Sequence, residues 1–94
     1  MIPSTSTFKA AADVRYRLVD GKGVLIRQRV GEVLVLNRVG ARILDLLQTG
    51  APLRGVLETM VKEFEVGPAE LERDAVAFVE RLVEAGIVEE VPGR

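Results

Sequence analysis

The chain contains no cysteine, no histidine and no tryptophan. The missing cysteine excludes a disulfide framework. Together with the missing histidine it excludes zinc or haem sites built on those ligands, and thiol or imidazole catalysis. Aromatic side chains are limited to Phe8, Tyr16, Phe64 and Phe78, so the core must be aliphatic. No apolar run is long enough to span a bilayer. Met1 to Ala12 lacks the basic start and apolar stretch of a secretory signal. These absences predict a cytoplasmic protein with no membrane partner. What is present suits one small domain over residues 1–94, with an ordered core at about 13–90: 94 residues, 48% hydrophobic and 29% charged.

Charge is divided unevenly along the chain. Residues 1–31 hold six basic and two acidic side chains, a balance of +4, whereas residues 32–94 hold seven and twelve, a balance of −5. The basic part reads as sheet. Val14 to Val19 alternates apolar and charged residues, the mark of a half-buried strand. Asp20-Gly21-Lys22-Gly23 is a turn signal. Val24 to Arg29 forms a second strand, broken by Gly31, and Glu32 to Leu36 a third. Short turns between consecutive strands imply an antiparallel meander.

The acidic part reads as three helices. Asn37 suits an N-cap, and Val39, Ile43, Leu46 and Leu47 share one face. Gly50 takes the position just past the helix end, and Pro52 opens the next helix. There Leu53, Val56, Leu57, Met60, Val61 and Phe64 form one apolar stripe. Gly67-Pro68 introduces the third helix, which buries Leu71, Ala75, Phe78, Val79 and Leu82 and ends at Gly86. Ile87 to Val91 adds a short strand or an extended tail. The expected fold class is α+β, a three-stranded antiparallel sheet followed by three helices, an arrangement like a winged helix.

Four constellations bear on function. First, Glu32, Val33, Leu34, Val35 and Leu36 form an edge strand unless the tail covers it, and its free amides and carbonyls would accept a guest strand. A turn of two or three residues around Gly31 leaves its parity open; the preferred arrangement points Leu34 and Leu36 inward and Val33 and Val35 outward. Second, Arg73, Val76, Ala77 and Glu80 follow a line on the third helix that would border a groove beside that strand. Third, Arg15, Arg17, Arg27 and Arg29 are expected on one sheet face, either for solubility or to attract an acidic peptide. Fourth, fourteen carboxylates show no pair whose spacing or apolar flanks would suit general acid–base work. An enzyme is not expected, nor is any metal or cofactor. Nucleic-acid binding by a winged helix remains a rival, but residues 68–85 carry five acids against Arg73 and Arg81, the wrong sign for phosphate. A general protein-assembly module is a further alternative.

Two stretches resemble a known family. Val35-Leu36-Asn37-Arg38-Val39-Gly40-Ala41-Arg42-Ile43-Leu44-Asp45-Leu46-Leu47, followed by Gly50, is similar to the LN-x-x-(G/A)-A-x-I-L-x-L-x-x-G stretch of the pyrroloquinoline quinone biosynthesis protein D family. Asp74-Ala75-Val76-Ala77-Phe78-Val79 with Leu82, Gly86, Ile87 and Val88 resembles that family's ending. A branched aliphatic usual in the family is here Ala75, which either deepens a pocket or loosens the core. The resemblance implies a stand-alone recognition element for ribosomally made peptides. Such a domain binds a precursor's leader as an added strand along Glu32 to Leu36, in a groove bordered by the third helix, and presents it to a modifying enzyme. That partner is a leader peptidase and cyclase of lasso-peptide synthesis, which Gly40-Ala41 and the lone-domain length favour, or a radical S-adenosylmethionine enzyme of quinone cofactor synthesis. The chain itself would be a monomer or an edge-paired dimer.

Overall fold

The computed structural model describes residues 2–91. Its elements run β1 (Thr7–Ala10), β2 (Val14–Val19), β3 (Lys22–Arg27), β4 (Glu32–Leu36), α1 (Arg38–Gln48), α2 (Leu53–Glu63), α3 (Pro68–Glu84) and β5 (Val88–Val91). The expected α+β class is present, with an antiparallel sheet in the order β2-β3-β4 and three helices after it. The third strand of the sequence reading is β4.

A tight turn sets the register. Asp20 and Gly21 both have positive φ, 52° and 78°, the handedness that suits a two-residue hairpin loop. Val19 therefore pairs with Lys22, and β3 begins two residues ahead of its predicted start at Val24. The next turn spans Gln28 to Gly31 and holds four residues rather than two or three. Both turns contain an even number of residues, so odd positions on one strand oppose even positions on the next. Arg15 opposes Ile26 and Arg17 opposes Val24, whereas Arg27 falls on the other face, opposite Val14 and Glu32. Arg29 lies in the turn. The expected cluster of four arginines on one face is thus reduced to Arg15 and Arg17. Arg27 instead forms a cross-strand ion pair with Glu32 at 3.0 Å.

The second departure is at the start of the chain. Ser4 to Thr7 reads as a polar lead-in and the core as starting near residue 13, yet Phe8 is only 3% exposed. β1 pairs antiparallel with β5, from Thr7 opposite Val91 to Ala10 opposite Val88. A four-residue strand is too short to display a period, and its partner lies some eighty residues away. The tail is therefore a strand, and it pairs with β1 rather than with β4.

The helices form where local chemistry dictates. The Asn37 Oδ1 accepts the Gly40 N–H at 2.8 Å, capping α1. Gly50 and Gly86, at φ 88° and 76°, follow the last residues of α1 and α3, in a conformation that a side chain would strain. Pro68 occupies the first turn of α3, where its missing N–H would have no partner in the helix. One face of each helix joins an aliphatic core that includes Leu25, Leu44, Leu47, Leu53, Val56, Met60, Leu71 and Val79, and α1 is the helix that packs directly on β3 and β4. Among the described residues no polar or charged residue is buried.

Two contacts seat the sheet and helices. The Tyr16 hydroxyl donates to the Ala41 carbonyl at 2.9 Å. Its ring covers Gly23, where a Cβ would come within 2.8 Å of the ring and 3.1 Å of the Ala41 methyl. Arg42 grips both Glu63 carboxylate oxygens at 2.8 Å and Asp45 at 2.9 Å, tying α1 to the end of α2. Hydrogen bonding to Arg42 holds the Glu63 carboxyl below its ordinary value.

Gly23→Ala is expected to destabilise the fold by about 1–3 kcal/mol, because the ring and helix must move apart; urea denaturation reads the loss. Glu63 gives an acid-side prediction. A carboxyl whose folded value is depressed contributes stability above its ordinary value, and that contribution disappears as pH falls through the folded value. Arg42→Gln should therefore flatten the acid-side fall of the melting temperature, measured against the parent chain.

Candidate functional site

The three-stranded sheet has two edges, β2 and β4. They are treated differently. β2 carries Arg15 and Arg17, and the Arg15 guanidinium turns back to the carbonyls of Ala12 and Val14 at 3.1 and 3.2 Å. Charge on an edge strand discourages another chain from pairing with it. β4 reads Glu-Val-Leu-Val-Leu, and its sole charge, at Glu32, is engaged by Arg27. The β4 edge is the one chemically open to a guest strand.

The register also says which groups are free. Residues facing each other across an antiparallel pair alternate between exchanging both hydrogen bonds and exchanging none. The Gln28 N–H donates to the Asp13 carbonyl at 3.0 Å, which fixes the phase of the β2–β3 ladder. Lys22, Val24 and Ile26 then bond toward β2, and Gly23, Leu25 and Arg27 bond toward β4. Their partners there are Leu36, Leu34 and Glu32. The main-chain N–H and C=O groups of Val33 and Val35 consequently point away from the sheet. The side chains follow the preferred parity: Val33 and Val35 are 59% and 66% exposed on the outer face, and Leu34 and Leu36 are half-buried on the inner one.

Beside this edge lies an open groove of about 540 Å³. One wall is formed by Val35 and Leu36 of β4 with Asn37, Val39, Gly40 and Ile43 of α1. The other is the α3 face carrying Glu70, Leu71, Asp74, Ala75, Phe78 and Arg81, with Val66 from the preceding loop. The groove depends on small residues. A Cβ at Gly40 would stand 3.2 Å from the Phe78 ring, so glycine there lets α1 and α3 approach. Ala75 is fully buried and contributes to the lining.

Of the nine residues singled out from the sequence, Val35 and Leu36 line this groove. Leu34 packs on the core, Val33 lies on the outer face and Glu32 is held in its ion pair. Arg73, Val76, Ala77 and Glu80 do not line the groove; its α3 wall passes through Glu70, Asp74, Phe78 and Arg81 instead. Val76 packs against the core, and Glu80 lines a separate shallow depression with Val83 and Glu84. The two flanks of the buried stripe are equally plausible from periodicity, and the choice depends on which side of α3 faces β4. In the sequence Asn37 reads as a helix cap, Val39 and Ile43 as the buried helix face and Gly40 as part of the family-like stretch, with nothing local to mark them as groove wall. No cluster of three or more acidic, cysteine or histidine side chains able to hold a metal occurs among the described residues. No described helix is long and apolar enough to cross a membrane.

A family model for coenzyme PQQ synthesis protein D (PqqD) matches residues 22–88, from the start of β3 to the start of β5. Two solved structures are similar over 90% of this chain. One is TbiB1 in complex with the TbiA(beta) leader peptide, covered over 99% of its length with 26% sequence identity and a TM-score of 0.81. The other is lasso peptide synthetase B1 complexed with the leader peptide, covered over 98% with 30% identity and a TM-score of 0.79. The sequence matches none of the curated proteins with which it was compared.

The hydrogen-bond phase makes a direct prediction for the unliganded protein. The amides of Val33 and Val35 should exchange with solvent far faster than those of Leu34 and Leu36, by at least tenfold in an NMR exchange series. Equal protection across the four would mean that the edge is already covered.

Proposed function

The chain belongs to the coenzyme PQQ synthesis protein D family, and on that premise we propose that it binds the leader segment of a ribosomally synthesised precursor peptide by strand addition to β4. It then presents the precursor to a modifying enzyme. The single observation that carries this reading is an unpaired strand edge, its one charge at Glu32 engaged by Arg27, running beside a largely apolar groove. The two similar structures, both described as leader-peptide complexes, support it and favour a lasso-peptide pathway. The enzyme partner is then a leader peptidase with its cyclase, ahead of a radical S-adenosylmethionine enzyme of quinone cofactor synthesis, and the setting is the cytoplasm. The chain performs no chemistry itself.

The mechanism follows from the edge. A leader running antiparallel to β4 pairs with both groups of Val33 and both of Val35. Four main-chain hydrogen bonds contribute roughly 2–6 kcal/mol at about 0.5–1.5 each. Leader residues opposite Leu34 and Leu36 share their face. Their side chains enter the groove between β4, α1 and α3. Two apolar side chains buried there add about 1.5–3 kcal/mol each. The ordering of a flexible leader opposes these gains, which leaves a dissociation constant in the range of about nanomolar to micromolar. The hydrogen bonds fix register, and the groove selects sequence. Holding the leader raises the effective concentration of the rest of the precursor near the enzyme.

On α3 the proposed contacts are Asp74, Ala75 and Phe78, in place of the line through Arg73, Val76, Ala77 and Glu80. Calorimetric titration with the leader peptide tests the reading through two variants. Val35→Pro removes one outward N–H at an edge position where proline is tolerated, and Phe78→Ala strips the groove of its largest side chain. Each should weaken binding at least tenfold while leaving the circular dichroism spectrum intact. Unchanged affinity in both would place the leader elsewhere. An edge-paired dimer would use the same groups, so added leader should dissociate it; sedimentation of the chain with and without peptide reads this competition.

A further inference from the structure

A strand edge does not by itself dictate which way a guest runs. The outward main-chain groups of Val33 and Val35 accept a parallel or an antiparallel strand. The wall beside them does have a direction. The start of β4 lies at the end of α3: Glu32 is held by Arg27 at 3.0 Å, and the Arg27 guanidinium stands 3.8 Å from where a Cβ on Gly86 would sit. The end of β4 lies further back along α3, because Asn37, which follows Leu36, meets the Phe78 ring together with Gly40. β4 and the second half of α3 therefore run side by side in opposite directions. From Leu36 to Glu32 the strand covers about 13 Å, and from Phe78 to Gly86 the helix covers about 12 Å, so the two stay level. Charge is ordered along this wall. Glu70 and Asp74 line the groove before Phe78, and Arg81 lines it after. All three are exposed, and none forms an ion pair among the described residues. Glu70 and Arg81 also sit in the first and last turns of α3, where the helix dipole favours them; Asp74, in the second turn, lies beyond that effect.

We propose that this charge order fixes the direction of the bound leader and defines its class: a peptide with lysine or arginine ahead of its groove-filling residues and a carboxylate near the residue opposite Leu34. The inference rests on the leader-binding reading and deepens it. A guest antiparallel to β4 runs parallel to α3. It passes Glu70 and Asp74 first, then Phe78, then Arg81. Asp74 and Glu70 lie about 6 and 12 Å back along the helix from Phe78. An extended chain advances about 3.3 Å per residue, which puts the cations roughly two to four residues before the side chain that meets Phe78. Arg81 lies about 4.5 Å beyond Phe78, between the levels of Leu36 and Leu34. A leader laid the other way would bring its carboxylate to the two acids and its cations to Arg81. Exposed charge pairs change affinity only a few-fold each, so the main-chain bonds and apolar side chains hold the leader. The charges choose between two directions that the edge alone treats alike, because attraction in one becomes repulsion in the other.

The test uses the full chain and synthetic peptides of its cognate leader. Arg81→Glu, and separately Glu70→Gln with Asp74→Asn, should each weaken calorimetric binding by about three- to tenfold. A leader whose carboxylate is replaced by lysine should bind the parent weakly and restore the Arg81→Glu variant to within about twofold of the parent pair. Direction is read separately. The chain has no cysteine, so a nitroxide on a single cysteine added to the leader labels the peptide alone. Placed just before the paired segment, it should broaden the amide signals around Glu70; placed just after, those around Glu32. Unchanged affinity in both variants, labels that report the opposite direction, or a leader with acids where the cations are expected would overturn the charge order and leave the edge site standing. A loss of affinity that the swapped leader does not restore would mark a structural effect and equally overturn it. Failure of the parent chain to bind the leader at all would overturn both readings.

Discussion

Everything in this molecule that bears on recognition depends on the phase of one hydrogen-bond ladder. Antiparallel strands expose alternate residues to alternate neighbours, so the pairing of β2 with β3 dictates which residues of β4 face outward. The Asp20-Gly21 turn sets that pairing, because both residues adopt a backbone conformation available at low cost only to glycine and a few polar residues. One residue more in the turn would exchange the roles of Val33 and Leu34. Valine side chains would then face the helices, and the leucines would be stranded on an open surface. The free main-chain groups and the inward leucines are therefore two results of the same register.

An open edge also requires that nothing in the chain itself covers it. β5 is the nearest candidate, being a late strand with no fixed place in a meander. Its pairing with β1 engages it on a separate two-stranded sheet. Phe8 and Val88, both buried, anchor that sheet to the core. The short first strand thus has a role beyond adding core. It occupies the tail and leaves β4 unpaired. Gly23 and Gly40 act on the other side of the problem, one letting Tyr16 lie flat between sheet and α1, the other letting Phe78 approach α1. Both are positions where the absence of a side chain sets the distance between elements.

What could be read from the sequence divides along the same physical line. Features governed by a few adjacent residues were legible: the turn at Asp20-Gly21, the Asn37 cap, the glycines that end α1 and α3, and the apolar stripe of α2. β4 was legible as an apolar edge, with its preferred parity. Features governed by pairing between distant segments were not. β1 has no local signature, since its stability comes from β5. The side on which Arg27 lies depends on whether the first turn holds an even or an odd number of residues, and that parity is fixed by the pairing of β2 with β3 rather than by the alternation within either strand. On α3 the buried stripe was clear, but a helix has two flanks and periodicity treats them alike. Choosing between Asp74 and Arg73 as a groove residue requires knowing where β4 lies around the helix axis.

The acidity of α3 has a different meaning for strand addition than for groove-reading of nucleic acid. A helix that enters a groove of DNA must neutralise phosphates, and Glu70, Asp74 and the other α3 acids oppose that at every approach. A helix that only walls a peptide groove has no such requirement, because the main chain of the guest is neutral and its bonds go to β4. Recognition through backbone groups also leaves most side chains free to vary. The geometry needs an even turn, an edge without free charge, a small residue where α1 meets α3 and a largely apolar wall. Relatives sharing only 26–30% of their residues can keep a closely similar fold, and the divergence can fall on the groove lining, which in the proposed mode of binding selects one peptide over another. The wall positions least constrained by the core are Glu70, Asp74 and Arg81, all exposed. Those are the places where a change of sequence alters what the groove prefers without disturbing the ladder that holds it open.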